Sequence, residues 1–106
     1  MIKLMFAAKR RPGMSPEAFA EYWTSVHAEL ARVIPGVTRY VINLAASSRS
    51  ADDRPFDGFA EITYASREEL RAAADSPQVR AVLADEPNLF DPASVVRMFV
   101  TEHVIV

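Results

Sequence analysis

The stretch SPEAFAEYWTSVHAELARVIPG, residues 15–36, decides how the rest of the chain reads. Ser15 can accept a hydrogen bond from a first-turn amide that would otherwise be unpaired. Pro16 suits the first helical position, and Glu17 stands where the helix dipole favours an acid. Pro35 and Gly36 stop the helix, which is expected to run to about residue 33. With about 100° between successive residues, Phe19, Trp23, Val26, Leu30 and Val33 share one stripe, the expected core face. Glu21, Ser25, Glu29 and Arg32 lie elsewhere on the surface.

Before this helix, Ile2, Leu4 and Phe6 alternate with Lys3, Met5 and Ala7, as in a strand with both faces partly covered, and Arg11-Pro12-Gly13 ends it. After it, residues 37–45 form a second strand-like run containing Tyr40, Val41 and Ile42. Residues 46–55 are polar and longer than an ordinary connection, and read either as a flap over a pocket or as a mobile hairpin loop. A third strand is expected over 57–64. Ser66 with Glu69 makes a capping box for a helix reaching residue 74, and Ser76-Pro77 starts a further helical turn carrying Val79, Val82 and Leu83. Residues 86–93 hold two prolines and read as irregular, and the β-branched run 95–106 suits a final strand. The order is β-α-β-β-α-β, which implies an α+β, ferredoxin-like fold: an antiparallel sheet with its helices on one face. No repeat or linker divides residues 1–106, so one domain is expected.

Composition narrows the classes of function. With 106 residues, half of them hydrophobic, one packed core is feasible and two are not. A net charge of −2, with both signs dispersed, supplies no basic stripe to follow a phosphate backbone, so nucleic acid is not an expected partner. The absence of cysteine removes disulfides, thiolate metal sites and a cysteine nucleophile. The apolar start, residues 1–8, is too short to span a bilayer, and Lys9, Arg10 and Arg11 follow it rather than precede it; a cytoplasmic protein with no membrane partner is expected.

Helices on one face leave the other uncovered, where Met5, Phe59, Tyr40 and parts of the last strand would meet water. A second copy would cover it. Two facing sheets in a twofold homodimer form a barrel-like core whose lumen can hold a small apolar or aromatic molecule, with Trp23, Phe59 and Met5 as its walls.

No phosphate loop, metal-ligand cluster or nucleophile elbow occurs, so no metal or cofactor is expected and chemistry falls to scattered groups. His27 follows Trp23 by four residues and lies about 80° from the centre of the apolar stripe, at the boundary of the buried face. A general base at a pocket edge and a helix-end histidine bonding locally are both consistent with that position. Tyr40 offers a phenol to orient a carbonyl, or one more core aromatic. Glu61 alternates onto the face of Phe59 and Thr63, where burial would raise its pKa for acid or base work unless Lys9, Arg39 or another cation pairs with it. His103 and Glu102 point to opposite faces of the last strand and are not expected to act together.

Residues 9–17, KRRPGMSPE, followed by Tyr22-Trp23, His27, Pro35-Gly36 and Arg39-Tyr40, resemble the EthD family of the dimeric α/β-barrel superfamily. Asp57-Gly58-Phe59-Ala60-Glu61 and the last strand extend the resemblance over nearly the whole chain. It implies kinship with muconolactone isomerases, aromatic polyketide cyclases, and cofactor-free or haem-degrading monooxygenases. In the methylmuconolactone isomerase relatives a helix histidine and a strand tyrosine are implicated near the substrate, and His27 and Tyr40 occupy the matching positions. This chain lacks the cysteine and the central-loop histidine of some of those relatives; Asp52 or Asp53 would have to stand in.

The resulting expectation is a cofactor-independent enzyme of isomerase or cyclase type. It would move a proton on a small cyclic or aromatic carbonyl compound, with His27, Tyr40 and Glu61 as its catalytic groups. A cofactor-independent monooxygenase, an oxidoreductase of degradation or polyketide metabolism, is the alternative within enzymes. A non-catalytic small-molecule binding protein is the alternative outside them. A haem degrader would need an axial histidine, for which only His103 or a displaced His27 is available.

Overall fold

The computed structural model describes residues 1–46 and 53–106. Residues 47–52, on which both readings of the 46–55 loop turn and which include Asp52 as a stand-in group, lie outside that description; Asp53 is exposed. Four strands, β1 (Ile2–Ala8), β2 (Val37–Leu44), β3 (Gly58–Tyr64) and β4 (Val96–Val100), form an antiparallel sheet in the order β2-β3-β1-β4. The helices α1 (Pro16–Tyr22), α2 (Ala28–Ala31), α3 (Arg67–Ala73) and α4 (Pro77–Asp85) cover one face of it. This is the expected α+β, ferredoxin-like arrangement. The caps form as the sequence implies: Ser15, Ser66 and Ser76 accept from the amides of Ala18, Glu69 and Val79, each at 3.1 Å.

The first helical segment departs from expectation in a way that shapes the site. Between α1 and α2, residues Trp23–His27 make a π turn, closed by the Ala28 amide donating to the carbonyl of Trp23. Thr24 Oγ1 donates to the Ala20 carbonyl at 2.7 Å, and Ser25 Oγ donates to that of Glu21, back-bonds of the kind that bend helices. In a regular helix each step of four residues drifts by about 40° around the axis. The wider turn absorbs that drift. Phe19, Trp23, His27 and Ala31 therefore all stay buried, while Val26 is 49% and Val33 59% exposed. The stripe expected at 100° spacing is corrected accordingly: His27 is central to the buried face rather than at its boundary.

Strand β2 carries a bulge between Val37 and Arg39. Simple alternation would send Val37 and Tyr40 to opposite faces. The bulge restores both to the helical side, where they pack on the core, and turns Arg39 and Val41 to the other face opposite Thr63 and Glu61. The expectation that Tyr40 belongs to the uncovered face is thereby overturned. The last strand is also shorter than expected. Lys3↔Val100 is the final pair of the β1–β4 ladder, so residues 101–106 find no partner strand among the described residues, and Val104, Ile105 and Val106 are exposed.

Two clusters make up the core. One gathers Phe6, Phe19, Trp23, Leu89 and Phe90, and the other Ile2, Ile34, Ile62 and Tyr64. Trp23, Phe19, Phe90 and Leu89 are the largest fully buried side chains, each worth about 1.5–3 kcal/mol of burial.

Candidate functional site

A cavity of about 220 Å³ lies between the helical face of the sheet and the helices. Its walls are mainly apolar, and Trp23, His27, Tyr40 and Phe90 line it. Leu83, Phe99 and Arg97 are half-exposed lining residues and mark the side that opens to water; there Arg97 donates to Glu86 at 2.7 Å and lies over the Phe6 ring. An apolar cavity of about 150 Å³ already accommodates benzene, so this one suits a molecule slightly larger than a single ring.

The π turn places His27 over the cavity, 4% exposed, with the Phe90 ring edge-on at 5.5 Å. Its Nδ1 lies 2.8 Å from Oδ2 of Asp85, the last residue of α4. Asp85 also receives the Tyr22 hydroxyl at 2.6 Å and the Asn88 amide at 2.9 Å, both on Oδ1. Burial pushes the Asp85 carboxyl pKa up, but these hydrogen bonds and the histidine outweigh it and hold the group below the usual aspartate range. Conversely, the carboxylate raises the pKa of the Tyr22 phenol. Nε2 of His27 makes no hydrogen bond among the described residues, while every fully buried side-chain nitrogen and oxygen has a partner; Nε2 is therefore open to the cavity.

Tyr40 accepts from Trp23 Nε1 at 3.2 Å, which leaves its own hydroxyl proton available. Burial raises its pKa, with partial relief from the indole, so the phenol is a donor at neutral pH. His27, Tyr40 and Trp23 thus share one cavity.

Met5, Phe59 and Glu61 do not join them. They stand on the opposite, uncovered face, where Met5 pairs with Glu61 and Met98. Phe59 is 43% exposed there. Glu61 accepts from Lys3 at 3.0 Å and from Asn43 at 2.9 Å, and these two bonds lower its pKa. The condition attached to Glu61 is met by Lys3, not by Lys9 or Arg39: its pKa goes down where acid-base work near neutrality needs it raised. His103 is exposed beyond the sheet, beside Thr101.

Sequence reasoning missed Asp85, Tyr22 and Asn88. A signal existed: an acid closing a helix stands where the dipole disfavours it, which asks for a reason. Among the described residues no group of three His, Asp or Glu side chains is arranged to hold a metal ion, and no helix is long and apolar enough to cross a membrane.

Fold and cavity together define a small ferredoxin-like α+β protein with an apolar pocket between sheet and helices. The sequence matches the EthD domain over residues 11–93, and the chain belongs to the EthD family. An EthD family protein of Bacillus halodurans is 24% identical, covering 97% of this chain and 100% of its own, with a TM-score of 0.74. A dimeric ferredoxin-like protein of unknown function from Thermobifida fusca is 19% identical over 95% of this chain and 90% of its own, with a TM-score of 0.69. SnoaB, a cofactor-independent oxygenase of Streptomyces nogalater seen in a mutant form, is 12% identical over 98% of this chain and 96% of its own, with a TM-score of 0.64. No curated protein is matched by the sequence.

Proposed function

We propose that this protein is a cofactor-independent enzyme that moves a proton on a small cyclic or aromatic carbonyl compound. The observation that carries the reading is a histidine with Nδ1 held by a carboxylate and Nε2 open to an apolar cavity shared with a phenol. Taking a proton α to a carbonyl needs one base and one donor in a dry pocket. His27 Nε2 accepts that proton and returns it at the same or a neighbouring carbon. Tyr40 donates to the carbonyl oxygen as charge develops there. Trp23 and Phe90 hold the ring. The uncovered sheet face, with Met5, Phe59 and Met98, is assigned to a second copy of the chain; the Thermobifida relative is described as dimeric. An oxygenase is the second reading, favoured by the fold shared with SnoaB.

The test uses 2-tetralone, a bicyclic ketone with an acidified α-proton. Quenching of Trp23, the sole tryptophan, reports binding. Exchange of the α-proton in D₂O, followed by NMR, reports chemistry. The wild type is expected to bind the ketone and accelerate exchange, and His27→Gln to lose about 100-fold or more of that acceleration. A ketone that binds and exchanges no faster than in buffer, or equally fast with His27→Gln, refutes the proposal. Oxygen uptake with a polyphenol would favour the oxygenase.

A further inference from the structure

We propose that Asp85 is a positioning residue that fixes His27 in the tautomer carrying its proton on Nδ1, so that the Nε2 lone pair faces the cavity. This rests on the proton-transfer reading only for its catalytic consequence; the tautomer itself is independent of it.

An ionised carboxylate can only accept hydrogen bonds. Asp85 Oδ2 lies 2.8 Å from Nδ1, so the shared proton belongs to the ring, and in a neutral imidazole the other nitrogen must then be the base. The carboxylate is itself constrained. Oδ1 is engaged by the Tyr22 hydroxyl from α1 and by the Asn88 amide from the short 3₁₀ turn Glu86–Asn88 that follows α4. Two donors on one oxygen leave the other for His27. The three partners come from separate segments, so the carboxylate is anchored at several points rather than hanging from one side chain.

The arrangement also places an anion beside the ring that takes up the proton. When Nε2 takes a proton from carbon, the resulting imidazolium keeps its Nδ1–H on the Asp85 carboxylate, 2.8 Å away. Asp85 takes no proton. The proton moves from substrate carbon to Nε2 and back to carbon, and the carboxylate is unchanged at the end of the cycle.

The experiment is long-range ¹H–¹⁵N correlation NMR on ¹⁵N-histidine-labelled protein, which distinguishes the two tautomers once the ring has been made neutral by raising the pH. The chain has two histidines, and the His103→Gln variant assigns them. The wild type is expected to show the Nδ1–H form for His27. In Asp85→Asn the amide can donate to Nδ1, and the proton is expected on Nε2; Tyr22→Phe keeps the carboxylate and is expected to keep the wild-type tautomer. In the tetralone assay Asp85→Asn should lose about 100-fold in exchange rate with the quenching affinity nearly unchanged. An Nε2–H ring in the wild type, or in Tyr22→Phe, overturns the proposal, and so does an unchanged tautomer in Asp85→Asn. Should Asp85→Asn fail to fold, the wild-type and Tyr22→Phe spectra still decide. A tautomer that responds as expected in a protein that never accelerates exchange supports the positioning role and refutes the proton-transfer function.

Discussion

Replacing Gly58 by alanine tests the packing of Trp23, a wall of the cavity, without removing any polar group. A Cβ at this position would stand 2.4 Å from Cζ3 and 3.2 Å from Cη2 of Trp23, and 3.1 Å from the carbonyl oxygen of Asn43. Two effects oppose each other. Glycine in a strand interior is about 0.5–1 kcal/mol worse than alanine, so relief of backbone entropy favours the variant. Overpacking costs about 1–3 kcal/mol, and an approach of 2.4 Å belongs at the upper end. Neither partner can give way. The indole is 1% exposed and boxed in by Phe90 at 4.9 Å, Phe19 at 5.3 Å and Phe6 at 6.2 Å, while Gly58 is held in the sheet between Ala8 and Leu44. The net expectation is a loss of about 2–2.5 kcal/mol, or a fall in Tm of about 8–20 °C for a domain of this size. Urea unfolding followed by Trp23 fluorescence measures it, and the native emission should shift as the indole is displaced. Gly13→Ala is the control: φ there is +85° with nothing within 4 Å of the new Cβ, so it should cost about 1–2 kcal/mol through backbone strain alone and leave the native emission unmoved. A Gly58→Ala protein as stable as the wild type would refute the packing argument.

Tyr40→Phe should leave the buried Trp23 N–H without its acceptor, costing about 1–3 kcal/mol in chemical denaturation and weakening tetralone exchange more than tetralone binding. Because the folded-state pKa of Asp85 is depressed, the stability it contributes is complete above the ordinary aspartate pKa and is lost as pH falls through the depressed value. The difference in unfolding free energy between wild type and Asp85→Asn should therefore be largest near neutrality and shrink on acidification; a difference that grows on acidification would contradict the assigned hydrogen bonds. Met98→Lys, at a position 64% exposed on the uncovered sheet face, should halve the mass seen by light scattering while leaving tetralone quenching of Trp23 intact, since the cavity lies on the other side of the sheet. Loss of quenching on monomerisation would return the ligand to a lumen between facing sheets.

Much of the fold was legible because its signals are local. Ser-Pro helix starts, the Ser66–Glu69 capping box, the Pro35–Gly36 stop and period-two alternation each act within a few residues, and together they fix the element order. The features that escaped depend on partners distant in sequence. The final strand ends at Val100, where its ladder with β1 stops at Lys3, which no property of residues 101–106 reveals. The bulge between Val37 and Arg39 reverses the face of Tyr40, yet β-branched and aromatic composition reads the same with or without it.

The candidate site was legible in its residues more than in its geometry. His27 and Tyr40 stood out by type and position, but the cavity joining them was expected on the uncovered face, with Glu61. Alternation along β3 already separates these groups: Ala60 and Ile62 face the helices with Tyr40 and Trp23, so Glu61 between them cannot. What alternation could not supply is why a histidine eight residues beyond Phe19 should share its buried face. That follows from the π turn, and the turn in turn brings His27 within reach of a carboxylate 58 residues away in sequence. A regular helix would have left the imidazole about 80° from Phe19, at the edge of the buried face. The irregularity and the buried Asp85 are therefore two parts of one arrangement: the widened turn brings the ring to the cavity, and the carboxylate determines which of its nitrogens is the base.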